Sequence, residues 1–125
     1  MNNNIDLHKP LLVKQSVSEN EATLVLKIED NIAYFSGHFD ENPILAGVVQ
    51  LDWAIYYANK FFACGDVFLG MEVIKFQQPI LPNTEIILTL RWQEDKQKLY
   101  FDYSDSEQVK YASGRIKLKA EQSDI

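Results

Sequence analysis

Cysteine and histidine are nearly absent from this chain, and so is any excess of positive charge. Of 125 residues one is cysteine and two are histidine, and 12 basic residues face 18 acidic ones, a formal net charge of -6. A single thiol, Cys64, excludes an internal disulfide and fits a reducing compartment. Packing near a helix end is its expected role. Two histidines and one cysteine spread along the sequence lack the spacing that metal ligands share, and His38 with Asp40 supplies too few donors, so no metal is expected. Net negative charge argues against nucleic acid as the main partner, since phosphate binding needs a basic footprint. No positively charged start runs into an apolar segment, and no uninterrupted apolar run reaches the length of a membrane span; the expected location is cytoplasmic. A nucleophile elbow is missing too, which leaves a Ser-His-Asp triad without support.

What is present reads as one globular domain over residues 1–125. Hydrophobic residues make up 46% and charged residues 24%, and a chain of this length buries roughly two thirds of the surface its unfolded form exposes. No repeat, low-complexity tract or linker divides it. Polarity is uneven: residues 1–72 hold four basic against ten acidic side chains, residues 75–119 eight against six. The second part can present a local basic face to an acidic partner, although lysines that keep strands soluble are the plainer reading.

Periodicity predicts strands over 11–17 and 22–28, the latter with Ala22, Leu24, Leu26 and Ile28 on one face. A turn at Glu29-Asp30-Asn31 and a short strand over 32–35 follow. One helix is predicted over 46–62, ending near Cys64-Gly65. Its residues are apolar on nearly every side, which predicts a helix buried all round as the axis of the core. Residues 67–77 alternate as a strand until Pro79 and Pro82 break it. Further strands carry Ile86, Leu88, Leu90 and Trp92, then Leu99, Phe101 and Tyr103, and a last one spans 109–119. Antiparallel meander pairing around the helix is the expected arrangement.

Two features stand out against this pattern. Asp52 lies inside the apolar helix, and an ionised carboxylate withdrawn from water without a partner costs several kcal/mol. It either faces solvent or complements the helix dipole, or it is a catalytic acid or base. His38 precedes a loop broken by Asn42-Pro43; a structural histidine and a catalytic partner for Asp52 are the two readings. Gly47 adds a third part, because the free N–H groups of Gly47 and Val48 at the helix's positive end can hold a carbonyl oxygen as negative charge develops on it. Close helix-to-sheet packing also explains that glycine.

Gly37-His38-Phe39, Pro43-Ile44, Gly47-Val48 and Asp52, followed by Phe76-Gln77-Gln78-Pro79-Ile80-Leu81-Pro82-Asn83-Thr84, resemble the 3-hydroxyacyl-(acyl-carrier-protein) dehydratases of the hotdog fold over about residues 32–118. The resemblance implies an α+β architecture, an antiparallel sheet wrapped around one long central helix. It also implies that His38 is the base at C2, that Asp52 is the acid assisting loss of the 3-hydroxyl, and that the Gly47 amide binds the thioester carbonyl. Such enzymes are homodimers with shared sites, or higher oligomers, in which His38 of one chain meets Asp52 of the other. The run Val49-Gln50-Leu51-Asp52-Trp53-Ala54 is most similar to the branch serving aryl polyene lipid biosynthesis. Asp40 and Ala46 stand where the family has prolines, and Tyr56 replaces a glutamine found in several relatives; family members hold the His-Phe bond cis.

The expected reaction is dehydration of a 3-hydroxyacyl thioester, carried by acyl-carrier protein or coenzyme A, to a trans-2-enoyl thioester. One base, one acid and one oxyanion donor suffice, with no cofactor. Burial by Trp53, Ile55 and Phe39 is expected to raise the Asp52 pKa. Phe39, Trp53, Tyr56, Tyr57 and Phe68 are candidates for an acyl tunnel, core packing being the alternative. Lys75, Arg91 and Arg115 are candidates for contact with the carrier or its phosphates. Two other functions stay open: an acyl thioester hydrolase, which uses Asp52 but leaves His38 idle, and an acyl-binding subunit that keeps the fold without turnover.

Overall fold

The computed structural model describes residues 8–29, 44–65 and 67–119. The strand expected over 32–35, together with His38, Phe39, Asp40 and Pro43, lies outside the described residues. Among those described, the chain forms β1 (Leu11–Val17), β2 (Glu21–Ile28), α1 (Gly47–Phe62), β3 (Val67–Phe76), β4 (Thr84–Gln93), a short 3-10 turn (Glu94–Lys96), β5 (Lys98–Ser104) and β6 (Lys110–Lys119). One antiparallel sheet joins the strands in the order β1-β2-β4-β5-β6-β3. A meander accounts for β4-β5-β6 only. β2 pairs with β4, and β3 crosses to the far edge to pair with β6, because the helix between β2 and β3 has to lie across the sheet.

Strand alternation decides which side the helix takes. Leu24, Leu26 and Ile28 of β2, Ile86, Leu88 and Leu90 of β4, Leu99 and Tyr103 of β5, and Ile116 and Leu118 of β6 are completely or almost completely buried on one face. Each such aliphatic side chain contributes about 1.5–3 kcal/mol relative to exposure. Helix α1 buries Val49, Gln50, Trp53, Ala54, Tyr57 and Ala58 against that face. It is not buried all round: Val48, Asp52, Tyr56 and Lys60, four residues apart, form an exposed stripe. A single sheet covers one side of a helix, so an apolar circumference alone does not bury the other.

Polar contacts lock the helix in place. Trp53, fully buried, donates its indole N–H to the His8 carbonyl at 2.8 Å and ties the N-terminal segment to the helix. The Tyr103 hydroxyl donates to the Gln50 carbonyl at 2.7 Å; burial pushes its pKa well above the ordinary phenol value, reinforced by Tyr57 and Asp52. The helix ends at Phe62, as expected, and Ala63 after it takes the left-handed conformation, φ 53°. Asn59 closes that end, donating to the Gly65 carbonyl at 2.9 Å and accepting from the Gly65 N–H at 2.7 Å. Cys64 packs there as expected, buried, and desolvation pushes its thiol up to about 12.

Candidate active site at the helix start

Helix α1 begins without a side-chain cap and without an acidic residue in its first turn. Ala46 is extended, and its carbonyl accepts from both Val49 and Gln50 N–H at 3.1 and 3.2 Å. The N–H groups of Gly47 and Val48 have no acceptor among the described residues. Two donors are therefore free at the positive end of the helix, where a developing negative charge is best held. The Leu45 N–H donates to the Ile80 carbonyl at 2.9 Å, which joins the chain before the helix to the loop after β3.

Two hollows adjoin that helix start. One, of about 380 Å³, is lined by Gly47, Val48 and Leu51 of the helix and by Met71, Ile74 and Phe76 of β3 among others. The second, of about 370 Å³, shares Gly47 and Phe76 and adds Gln50 and the segment Gln77-Gln78-Pro79. Gly47 is needed where it stands: a Cβ there would lie 2.6 to 3.2 Å from three atoms of the Phe76 ring. Of the two readings of this glycine, close packing and room for a carbonyl oxygen, the same geometry serves both.

Asp52 stands one turn beyond Val48 on the exposed stripe. The expected burial by Trp53 and Ile55 is not seen, and Phe39, the third residue expected to cover Asp52, lies outside the described residues. Trp53 points into the core and Ile55 is only partly buried, so neither covers the carboxylate. The hidden polar group is instead Gln50, 3% exposed. Its carboxamide N–H donates to the Leu45 carbonyl at 3.1 Å, while Oε1 is buried with no hydrogen-bond partner, an arrangement that costs roughly 1–3 kcal/mol. Sequence reasoning passed over Gln50; its phase was the available signal, since positions 50, 54, 57 and 58 share one helical face.

The aromatic candidates do not gather on one cavity. Trp53 and Tyr57 belong to the core. Tyr56 is exposed, with the Lys9 and Lys60 ammonium groups 4.4 and 5.4 Å from its ring centroid. Phe68 lies half exposed on β3, and Phe39 is outside the described residues. The basic candidates do come together: Lys75, Arg91 and Arg115 line one groove on the sheet face away from the helix. There Arg91 stacks on Tyr100 at 3.9 Å, and Arg115 lies 5.8 Å from the same ring. Arg115 Nε is 2.6 Å from Glu72 Oε1, an ion pair without hydrogen-bond alignment. The Lys98 ammonium, 3.2 Å from the same oxygen, holds the Glu72 carboxyl below its usual range, with Arg115 adding to it.

Comparison with known proteins identifies the family and the fold. Residues 14–115 match the ApeI-like family, described as ApeI dehydratase. The dehydratase heterocomplex ApeI:P from Xenorhabdus doucetiae superposes with a TM-score of 0.82 at 34% identity, covering 89% of this chain and 98% of that one. A protein from Erwinia carotovora subsp. atroseptica gives 0.79 at 39% identity, covering 89% and 96%. The 3-hydroxyacyl-(acyl-carrier-protein) dehydratase FabZ of Streptococcus agalactiae is 24% identical over 83 residues, 61% of this chain and 59% of that relative's length. The (R)-hydratase of A. caviae, at 17% identity and a TM-score of 0.61, shares the fold. The architecture is that of the hotdog fold.

Proposed function

The chain belongs to the ApeI-like dehydratase family, and on that basis we propose that it dehydrates 3-hydroxyacyl thioesters to trans-2-enoyl thioesters. The observation that carries this reading is the pair of unpartnered N–H groups at Gly47 and Val48, with Asp52 one turn away on the same exposed face. A thioester carbonyl accepting from those donors gains most as its oxygen becomes negative, which acidifies the C2 proton. In the proposed reaction an imidazole nitrogen of His38 takes that proton and the C2–H electrons form the double bond. The C3–O bond breaks with a proton from Asp52, and water leaves. The apolar hollow lined by Val48, Leu51, Met71 and Ile74 suits the acyl chain.

A second copy of the chain completes the site. Strand β3 is a sheet edge, and Phe68, Leu69, Met71, Val73 and Phe76 on it are 40 to 56% exposed. An apolar edge of this length is a pairing surface, and it borders the same hollow. The Xenorhabdus relative is described as a heterocomplex, so a different second chain is the competing partner. Lys75, Arg91 and Arg115, on the opposite sheet face, supply cations for the body of an acidic carrier protein.

Purified protein given a 3-hydroxyacyl thioester is expected to form enoyl thioester, and His38→Ala is expected to abolish it. Release of free thiol instead identifies a hydrolase, and tight binding without turnover identifies an acyl-binding subunit. Mixing inactive His38→Ala and Asp52→Asn proteins should restore activity, because one of the two shared sites then carries both native residues. No recovery after verified subunit exchange rules out sharing between copies.

A further inference from the structure

Gln50 is the one buried side chain of an amide or charged type among the described residues, and the reaction above does not use it. A carbonyl can only accept, so the contact with Leu45 oxygen fixes the orientation of the carboxamide and leaves Oε1 as the atom that wants a donor. Buried polar atoms are rarely left in that state without a partner arriving from elsewhere. Gln50 lines the 370 Å³ hollow together with Gln77 and Gln78. Gln50 thus borders a largely apolar hollow that also touches Gln77 and Gln78 and shares Gly47 and Phe76 with its neighbour.

We propose that the hollow bordered by Gln50 receives the pantetheine arm of the thioester, with Gln50 Oε1 accepting a hydrogen bond from the arm's amide N–H nearest the sulfur. The inference rests on the placement of the thioester carbonyl at Gly47 and Val48. Gly47 and Gln50 are three residues apart on the helix and hence neighbours, about 5–6 Å between side-chain positions. The arm has two methylenes between sulfur and its first amide nitrogen, a reach of the same order. Phe76, 56% exposed and packed on Gly47, is the wall that yields to admit it. The arm is common to coenzyme A and carrier proteins, so this subsite recognises the amide and not the carrier.

The test compares binding of two unreactive thioethers with the same acyl chain, one on pantetheine and one on a propyl group without amides. Wild-type protein should bind the pantetheine compound about tenfold tighter. Gln50→Met, which keeps length and removes both polar atoms, should bring the ratio to about one and leave the propyl compound unaffected. Gln50→Leu is the second variant if methionine does not pack, with thermal unfolding as the check on folding. A wild-type ratio near one, as expected if an internal water satisfies Oε1, overturns the proposal; so does equal weakening of both ligands. A coenzyme A thioether separates the sources: extra affinity that survives Gln50→Met belongs to its phosphates. Binding needs no turnover, so a protein that discriminates the arm yet forms no enoyl product refutes the dehydratase reading and leaves this one standing.

Discussion

The two faces of the sheet treat polar groups in opposite ways. On the outer face Lys75, Arg91 and Arg115 share a groove, where Tyr100 stacks with the arginines and Glu72 pairs with Arg115. On the helix face there is little polarity: the Tyr103 hydroxyl, the Trp53 indole and the Gln50 carboxamide N–H hold internal partners, while two N–H groups at the helix start and the Gln50 Oε1 have none among the described residues. Charges that water can screen are satisfied locally and contribute little each. Groups withheld from water without a partner are the ones that a ligand can complete, which is why the helix face is the better place to look for chemistry.

The largest test of that contrast is Asp52→Asn, which should lower kcat for dehydration by about 10²- to 10⁴-fold, the range for losing a positioned acid, with the fold intact by circular dichroism. Titration should separate the faces next. Cys64 is raised from 9.0 to about 12 in the folded chain; between those values the folded state holds more protons than the unfolded one, so stability falls as pH rises through that window. The slope is at most about 1.4 kcal/mol per pH unit for one proton, and Cys64→Ala should flatten it in denaturant titrations. Glu72 on the outer face works the other way: its lowered pKa stabilises at neutral pH and is lost in acid.

Tyr103→Phe should cost roughly 0.5–1.5 kcal/mol in urea unfolding, because it removes the buried hydroxyl's hydrogen bond to the Gln50 carbonyl. Gly47→Ala forces the Phe76 ring aside and should lower kcat/KM about tenfold. Adding Phe76→Ala should recover part of that loss, and additive effects in the double variant would show that the ring is not the cause. The smallest effect belongs to the outer groove: Arg91→Ala should raise KM for a carrier-protein thioester by no more than about fivefold, and the difference should fade with added salt. A larger, salt-insensitive change would move the site to that face.

Element positions were readable because local rules set them. Ala22, Leu24, Leu26 and Ile28 alternate and are buried together, and the helix stops within a residue or two of Cys64-Gly65. The site was only partly readable. Gly47, Val48 and Asp52 do share one end and one side of the helix, but Asp52 drew attention as a carboxylate in an apolar run although it is exposed. Gln50, two positions earlier, looked ordinary and is buried. A one-dimensional list of apolar residues does not say which side of a helix the sheet will cover.

The sequence by itself determined the repeating pattern, one helix among alternating strands, because side-chain periods of two and 3.6 are properties of the local backbone. It also placed the helix start at Ala46, one residue before the observed Gly47, with donors that the backbone must leave free. Tertiary structure decided the crossing of β3 to the sheet edge, which exposes its apolar side chains, and the burial of Gln50 in place of Asp52. Both follow from long-range packing: one sheet has one inner face, and only the chain's path across it selects what is hidden there.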